Sequence, residues 1–485
     1  MQILVRYTGS KAAGTDTPNT AEPQQHGVFF RQQPVLANMN LDEDGDGGEA
    51  AMHILQQEME IDDFMTSLVC DDSSSEEDDE AKRKGSRKGK APNKDRDFHG
   101  AYMKVIKHYF NGRNSTYDER DFERRFRCPR TVFNRIHDAM MGQDPFLHYQ
   151  DATGKLGVYP LVKLVGCFRY IAYGDAYDRE DENLEMGEST LEGYVKKFAK
   201  LMKNEFGEQY LNRCPTLHER EAISRVMNGK GFPGCLASWD CKHFNWKNCP
   251  MRLSGQHKGH SEGGKNTLVL EAISDHRRYI WYANFGDPGS LNDLNILDRS
   301  SIVGAMLSGQ LDITTDPYTI NNNPRDWMYF LVDGIYPEWS IFVNTFNNAT
   351  DPLKKHFASH QEKVRKDIEC AFGVLVSRFH VLQRPIRNWY LEEIVDLLHC
   401  CVIIHNMVVD ERYGDLGTEA DEVRDKAFPL FGYPEVTAAL AALEGIDLFA
   451  ARVSVFHSRM HSAYEHARLK SDLIAHINAT IPRKN

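Results

Sequence analysis

Apolar positions recur along this 485-residue chain in two periods, one helical and one strand-like. Residues 121–140, DFERRFRCPRTVFNRIHDAM, set Phe122, Phe126, Val132, Phe133 and Ile136 at the spacing of short helices broken at Pro129. Leu161, Leu164, Val165, Phe168, Ile171 and Ala172 predict a helix that stops at Gly174. After a polar connection, Leu191, Tyr194, Val195, Phe198 and Leu201 share one helical face, and Ser189 with Glu192 fits a capping box opening that helix. The middle of the chain changes period. CLASWDCKHFNW (235–246) reads as a strand, and TLVLEAISDHRRYIWYANFG (267–286) as two strands joined by a turn at Ser274–Arg277, where Asp275 is a turn-forming residue. WMYFLVDGIYPEW (327–339) gives a short apolar strand ending at Asp333 and broken by Gly334. Val364, Ile368, Ala371, Phe372, Leu375 and Phe379 then line one face of a helix within 359–382, and LEEIVDLLHCCVIIHNMVV follows as a long apolar helix in which His405 and Asn406 read as core residues.

This succession predicts an α/β protein with a mixed sheet flanked by helices over 229–412. A helical region precedes it at 97–228, and a helical extension follows at 413–485. Two readings of the helical region stand side by side. One is a helix-turn-helix whose Lys196, Lys197 and Lys200 face phosphates; the other is an ordinary helical subdomain with a solvated lysine face. Residues 1–96 lack regular apolar spacing and are expected to be disordered, with one apolar patch at Met52–Leu68.

Hydrophobic content of 41%, charged content of 26% and aromatic content of 11% are ordinary for a soluble globular protein. No apolar run approaches the ~18 residues of a membrane span, no secretory signal pattern opens the chain, and ten scattered cysteines predict reduced thiols. An intracellular protein without a membrane partner is expected. The formal net charge of -12 argues against a nucleic-acid partner only if it is evenly spread. It is not. Residues 1–80 hold 18 acidic and three basic residues, net -15, which leaves 52 acidic and 55 basic residues, net +3, to the remaining 405. The acidic block DDSSSEEDDE (71–80), in which phosphorylation of Ser73–Ser75 would add further charge, is followed by KRKGSRKGKAPNK (82–94). That basic run has the character of a nuclear import signal or nucleic-acid-binding arm, or of a solvated linker beside the acids.

Three carboxylates suggest chemistry. Asp240 lies on the first strand, Asp333 ends a later one, and Glu369 stands on the following helix one turn after Arg365. Converging at a sheet edge, such acids repel one another unless a cation sits among them, and a donor set of carboxylates suits Mg²⁺ or Mn²⁺. Two such ions would support in-line displacement at a phosphodiester. A chain with 70 acidic residues contains many carboxylate triples, so this one is weak evidence alone.

The chain resembles a known family in five ordered blocks. GCLASWDCKHFNWKNCP (234–250), GGKNTLVLEAISDHRRYIWYANFGDPGSLNDLNILDRS (263–300), FLVDGIYPEWSIFV (330–343), HQEKVRKDIECAFGVLVSRFHVL (360–382) and CCVIIHNMV (400–408) are similar to successive blocks of PIF/Harbinger-type transposases, closest to their plant transposon protein branch. The upstream IAYGDAYDREDENLEMGEST (171–190) extends the resemblance to roughly 120–410. It implies an RNase H-like catalytic fold and an Asp/Asp/Glu metal site for Mg²⁺ or Mn²⁺. By motif, Asp240 in WDCKHF is the first acid and bridges two ions, Asp333 in LVDGIYP is the second and Glu369 in RKDIECAFG the third. Thirty-five residues separate the last two, a spacing common among such recombinases. The implied activity is DNA cleavage, with strand transfer where transposition persists. The alternative is a domesticated nuclear DNA-binding protein that keeps the fold without cutting. The implied partners are DNA at transposon ends and target sites, further copies of the chain on that DNA, and a Myb-like accessory DNA-binding protein such as related elements encode.

Asp293, in GDPGSLNDLNIL, is either an accessory acid of that centre or the cap of a helix beginning near Leu294. Lys242, His243, Lys247, Arg252, His257, Lys258, His260 and Lys265 crowd the stretch after the first strand, with Trp239, Phe244 and Trp246 interleaved. They are expected to hold phosphates while the aromatics pack inside or stack on unpaired bases. Arg365 and Lys366, flanking Glu369, would offset carboxylate repulsion or bind DNA. The spacing of Cys235, Cys241 and Cys249 matches no zinc finger.

Overall fold

The computed structural model describes residues 94–147, 156–259, 263–308, 311, 314–414 and 446–483. The expectations for the acidic tail, the 52–68 patch, the basic run through Asn93 and His260 lie outside the described residues.

The N-terminal helices follow the apolar spacing. They are α1 (Phe98–Val105), α2 (Glu119–Phe126), α3 (Arg130–Met141, entered through Pro129), α4 (Pro160–Tyr173), α5 (Glu188–Tyr210) and α6 (Leu217–Gly229). Gly174 ends α4 in the left-handed region at φ 60°, where a Cβ would stand 2.7 Å from backbone atoms of His380 and Val381, so both conformation and space demand glycine. The box expected at Ser189 is not formed. Gly187 is the N-cap and makes no side-chain cap bond, which puts Ser189 already inside the helical turn. The capping box forms instead on α6, between Thr216 and Glu219. Glu219 also grips buried Arg213 at 2.6 and 2.8 Å, so one carboxylate both caps a helix and neutralises a buried guanidinium.

The sheet strands are β1 (Cys235–Asn245), β2 (Thr267–Ser274), β3 (Ile280–Pro288), β6 (Tyr329–Val332) and β7 (Phe342–Asn344), with β4 (Thr314–Ile320) and β5 (Asn323–Trp327) forming a separate hairpin. The five-stranded order is β3-β2-β1-β6-β7. β2 runs antiparallel to both β1 and β3, whereas β6 is parallel to β1 and β7 to β6. The turn between β2 and β3 is pinned by buried Asp275, which accepts from the backbone N–H of Arg277 and Tyr279, the Arg277 guanidinium and the Trp281 indole. The Asp275 reading as a structural turn residue holds.

Short helices α7 (Asp293–Asp298) and α8 (Ser301–Leu307) follow β3. Helix α9 (Pro352–Arg378) begins seven residues before the segment in which the sequence predicts it and lies against β1, β2 and β6. Helix α10 (Leu391–Tyr413) is buried almost all round between β3 and α5, which explains its continuous apolar run. Its Asn406 donates to Ile280 O and Tyr210 O and accepts from Ile280 N, while His405 Nε2 pairs with Arg278 O. Both are core residues, as their apolar setting suggested. The C-terminal helices α11 (Ile446–Met460) and α12 (Ala463–Thr480) pack back on the sheet region. Buried Lys470 on α12 donates to Asn344 Oδ1 at 2.5 Å, and Ser340 donates to Arg459 O at 2.8 Å. Among the described residues no helix is long and apolar enough to cross a membrane.

Candidate functional site

Strand pairing brings the first two predicted acids together. Ser238 on β1 stands beside Leu331 on parallel β6. Two residues further along each segment come Asp240 and Asp333, so the acids lie level at neighbouring positions where β6 ends. Carboxyl ends of parallel strands are where open α/β sheets place ligand-binding groups, because the backbone leaves the sheet there and frees side chains. Asp333 turns out of its strand into Gly334, whose N–H donates to Asp333 Oδ1 at 2.6 Å.

Helix α9 supplies the third acid. Arg365 and Glu369 are one turn apart, and Arg365 Nη2 donates to Glu369 Oε1 at 2.9 Å. Its Nη1 donates to Asp240 Oδ2 at 3.1 Å. One guanidinium therefore spans the first and third acids. Arg365 is buried, whereas the Glu369 side chain is 45% exposed. Burial pushes the Asp240 carboxyl up to about 6; Arg365 and the Cys241 N–H pull it down, and the charges of Asp293 and Asp333 push it further up.

Asp293 joins this group by a route the sequence left open. The helix cap is Asn292, whose Oδ1 accepts from Asn295 N at 2.8 Å. The capping reading of Asp293 is thus corrected, because the neighbouring asparagine holds that position. Burial raises the Asp293 carboxyl, His243 opposes, Asp333 adds to the rise and a hydrogen bond from the Cys241 thiol lowers it. Tyr336, in the GIYP segment, was not singled out from the sequence. Its hydroxyl lies 3.7 Å from Cys241 Sγ, and burial first, then Cys241 and the surrounding acids, drives its pKa well above the ordinary phenol value. Its position three residues after Asp333 was the only signal for it.

A divalent cation fits the chemistry of this donor set: oxygen donors only, partly desolvated, and mutually repelling. As the side chains stand, no three His, Cys, Asp or Glu residues among the described ones are grouped to hold an ion. Arg365, bonded to both Asp240 and Glu369, supplies the positive charge between them.

The cationic stretch after β1 divides. Lys247, Arg252, Lys258 and Lys265 are exposed, as is Lys366 on α9. Lys242 is half-buried with its ammonium 5.9 Å from the Phe244 ring, and His243 Nδ1 pairs with Thr267 Oγ1 at 3.0 Å. His257 is buried against Trp246 with Nδ1 bonded to Thr267 O. Of the two alternatives for Trp239, Phe244 and Trp246, packing inside is the one realised, and stacking on bases is not. All three are buried, since β1 is covered by helices and its aromatic side chains fill the interior. In the helical region, Lys196 is held by Glu192 at 3.1 Å and by Glu393 of α10 at 2.6 Å, while Lys197 and Lys200 are exposed.

Residues 208–415 match the family model for plant transposon proteins. The matched stretch runs from the end of α5 through α10 and contains Asp240, Asp293, Asp333 and Glu369. This supports relationship to a transposon-related family. No curated protein and no solved structure matches the chain.

Proposed function

We propose that this protein is a divalent-metal-dependent DNA endonuclease of the PIF/Harbinger transposase type. The observation that carries the reading is the level placement of Asp240 and Asp333 on adjoining parallel segments, with Glu369 reached from α9 through Arg365. The strand order and directions agree with an RNase H-like sheet, and the plant transposon protein match covers the same residues.

In this reading Asp240 and Asp333 hold Mg²⁺ or Mn²⁺, with Glu369 and Asp293 as further carboxylates. The bound ions supply Lewis-acid polarisation of the scissile phosphate and a lowered pKa for the attacking hydroxyl group. The chain's own residues do the rest. Arg365 limits repulsion between Asp240 and Glu369, and the exposed cations after β1, with Lys366, hold phosphates and set the register of the DNA. Hydrolysis breaks a P–O bond and leaves a hydroxyl and a phosphate end; strand transfer uses a DNA 3′-hydroxyl in place of water. The nuclear setting, further copies on DNA and a Myb-like accessory protein belong to the same proposal.

A second reading has one observation in its favour. The cation between Asp240 and Glu369 is already supplied by Arg365, as suits a domesticated DNA-binding protein that no longer cuts. Purified chain, labelled duplex and Mg²⁺ or Mn²⁺ separate the two. Metal-dependent cleavage lost in Asp240→Ala and Asp333→Ala supports the nuclease; unchanged cleavage in folded variants removes the site, and binding without cutting selects the second reading.

A further inference from the structure

Buried aromatics dominate the interior, but Trp389 and Tyr390, adjacent on the loop between α9 and α10, are 56% and 53% exposed. The loop is held firmly. Trp246 and Ile386 form a parallel β-bridge, Ile386 N donates to Asn245 O at 2.8 Å, and Lys247 N donates to Ile386 O at 2.9 Å. The Trp246 indole donates to Asn388 O at 2.9 Å and the Asn248 amide to Arg387 O at 2.6 Å.

That bridge also sets direction. Trp246 and Ile386 are buried, so the residues that follow them, Lys247 and Arg387, alternate to the outside next to one another, and both are exposed. Nearby acids are largely engaged: Asp175 pairs with Arg384 at 2.7 Å and Glu393 with Lys196 at 2.6 Å, with Glu392 exposed on the first turn of α10. Two exposed aromatic faces beside two cations suit a ligand that offers π faces and negative charge together. Unpaired nucleotides do so, whereas a paired duplex shows its phosphates and keeps its base faces stacked. The loop is tied to the chain leaving β1, which carries Asp240, and follows α9, which carries Glu369.

We propose that Trp389 and Tyr390, with Lys247 and Arg387, form a stacking platform for unpaired bases of a DNA strand. The proposal rests on the DNA-cutting reading of the acidic site and names the form of DNA the chain engages.

Binding by the full chain is measured in EDTA, so cleavage plays no part, using a fully paired duplex and the same duplex with a splayed single-stranded end. Trp389→Leu/Tyr390→Leu is expected to weaken binding of the splayed duplex about tenfold or more and that of the paired one by less than about twofold. Trp389→Phe should retain most of the affinity, and tryptophan fluorescence of the wild type should be quenched by the splayed end. Equal weakening on both duplexes, or none on the splayed one, overturns the platform; the latter assigns the aromatic pair to a protein partner. Wild-type chain that binds neither duplex sinks the DNA reading itself, whereas equal binding with no aromatic effect sinks only the platform.

Discussion

Asp240 and Glu271 stand on neighbouring strands one register step apart, Asp240 facing Ala272 and Glu271 facing Cys241. Burial is the largest influence on both and pushes the first up to about 6 and the second to about 8. Their surroundings differ in kind. Glu271 lies on the other face of the sheet, where neutral donors hold it, the Ser300 hydroxyl at 2.9 Å, the Trp239 indole at 3.1 Å and Tyr282, while the charge of Asp287 adds to its rise and no cation is bonded to it among the described residues. Asp240 meets charges, with Arg365 bonded to it and Asp293 and Asp333 repelling it. A raised carboxyl alone therefore reports burial. Charged neighbours that need a counterion separate a site for chemistry from a polar knot in the core.

The comparison is broken most severely at Asp240. Asp240→Asn should reduce metal-dependent cleavage at least about a hundredfold, since changes even to residues that support metal ligands reach that size. Its thermal midpoint should stay near that of the wild type, because a repelling buried charge is removed. Glu271→Ala should do the reverse, lowering stability by about 2 kcal/mol as buried donors lose their acceptor. Denaturant titration of both variants checks this contrast.

Glu271→Gln sharpens it through pH. The folded pKa of Glu271, about 8, lies above the ordinary value of 4.5. The stability contributed by its protonated form is therefore complete below about pH 4.5 and lost as pH rises through about 8. Wild type should lose stability relative to Glu271→Gln across that window; parallel pH profiles would show that the group does not titrate there.

Asp293 and Asn292 give a smaller pair of effects. Asn292→Ala should cost about 1 kcal/mol through the lost cap. Asp293→Asn should leave stability nearly unchanged and lower cleavage, which separates the accessory acid from the cap beside it. Smallest is Lys196→Ala, which removes a half-exposed ion pair with Glu393 and should cost under about 1 kcal/mol of stability; a loss of DNA affinity in the folded variant would favour the helix-turn-helix reading.

Much of the framework was legible because it is local. Short apolar runs bounded by turn residues marked β1, β2 and β3, the 3.6-residue period marked α4, α9 and α10, and the one-turn spacing of Arg365 and Glu369 already implied their bond. Hairpin β4–β5 and edge strand β7 were not marked, since their short segments carry no sustained apolar period. The capping pattern pointed to Ser189 when Gly187 caps the helix, while the same pattern at Thr216 and Glu219 is the one that closes.

The sequence by itself determined which acids are available, the elements that carry them and the separation of a strongly acidic tail from a slightly basic remainder. Only the tertiary structure decided which of them meet. Arg365 reaches Asp240 across 125 positions, Asp293 turns from cap to neighbour of Asp333, and Trp239, Phe244 and Trp246 sink inward while Trp389 and Tyr390 remain outside. Periodicity specifies a face within one element. Which face is covered, and which charges share a desolvated space, depends on packing between elements far apart in the chain.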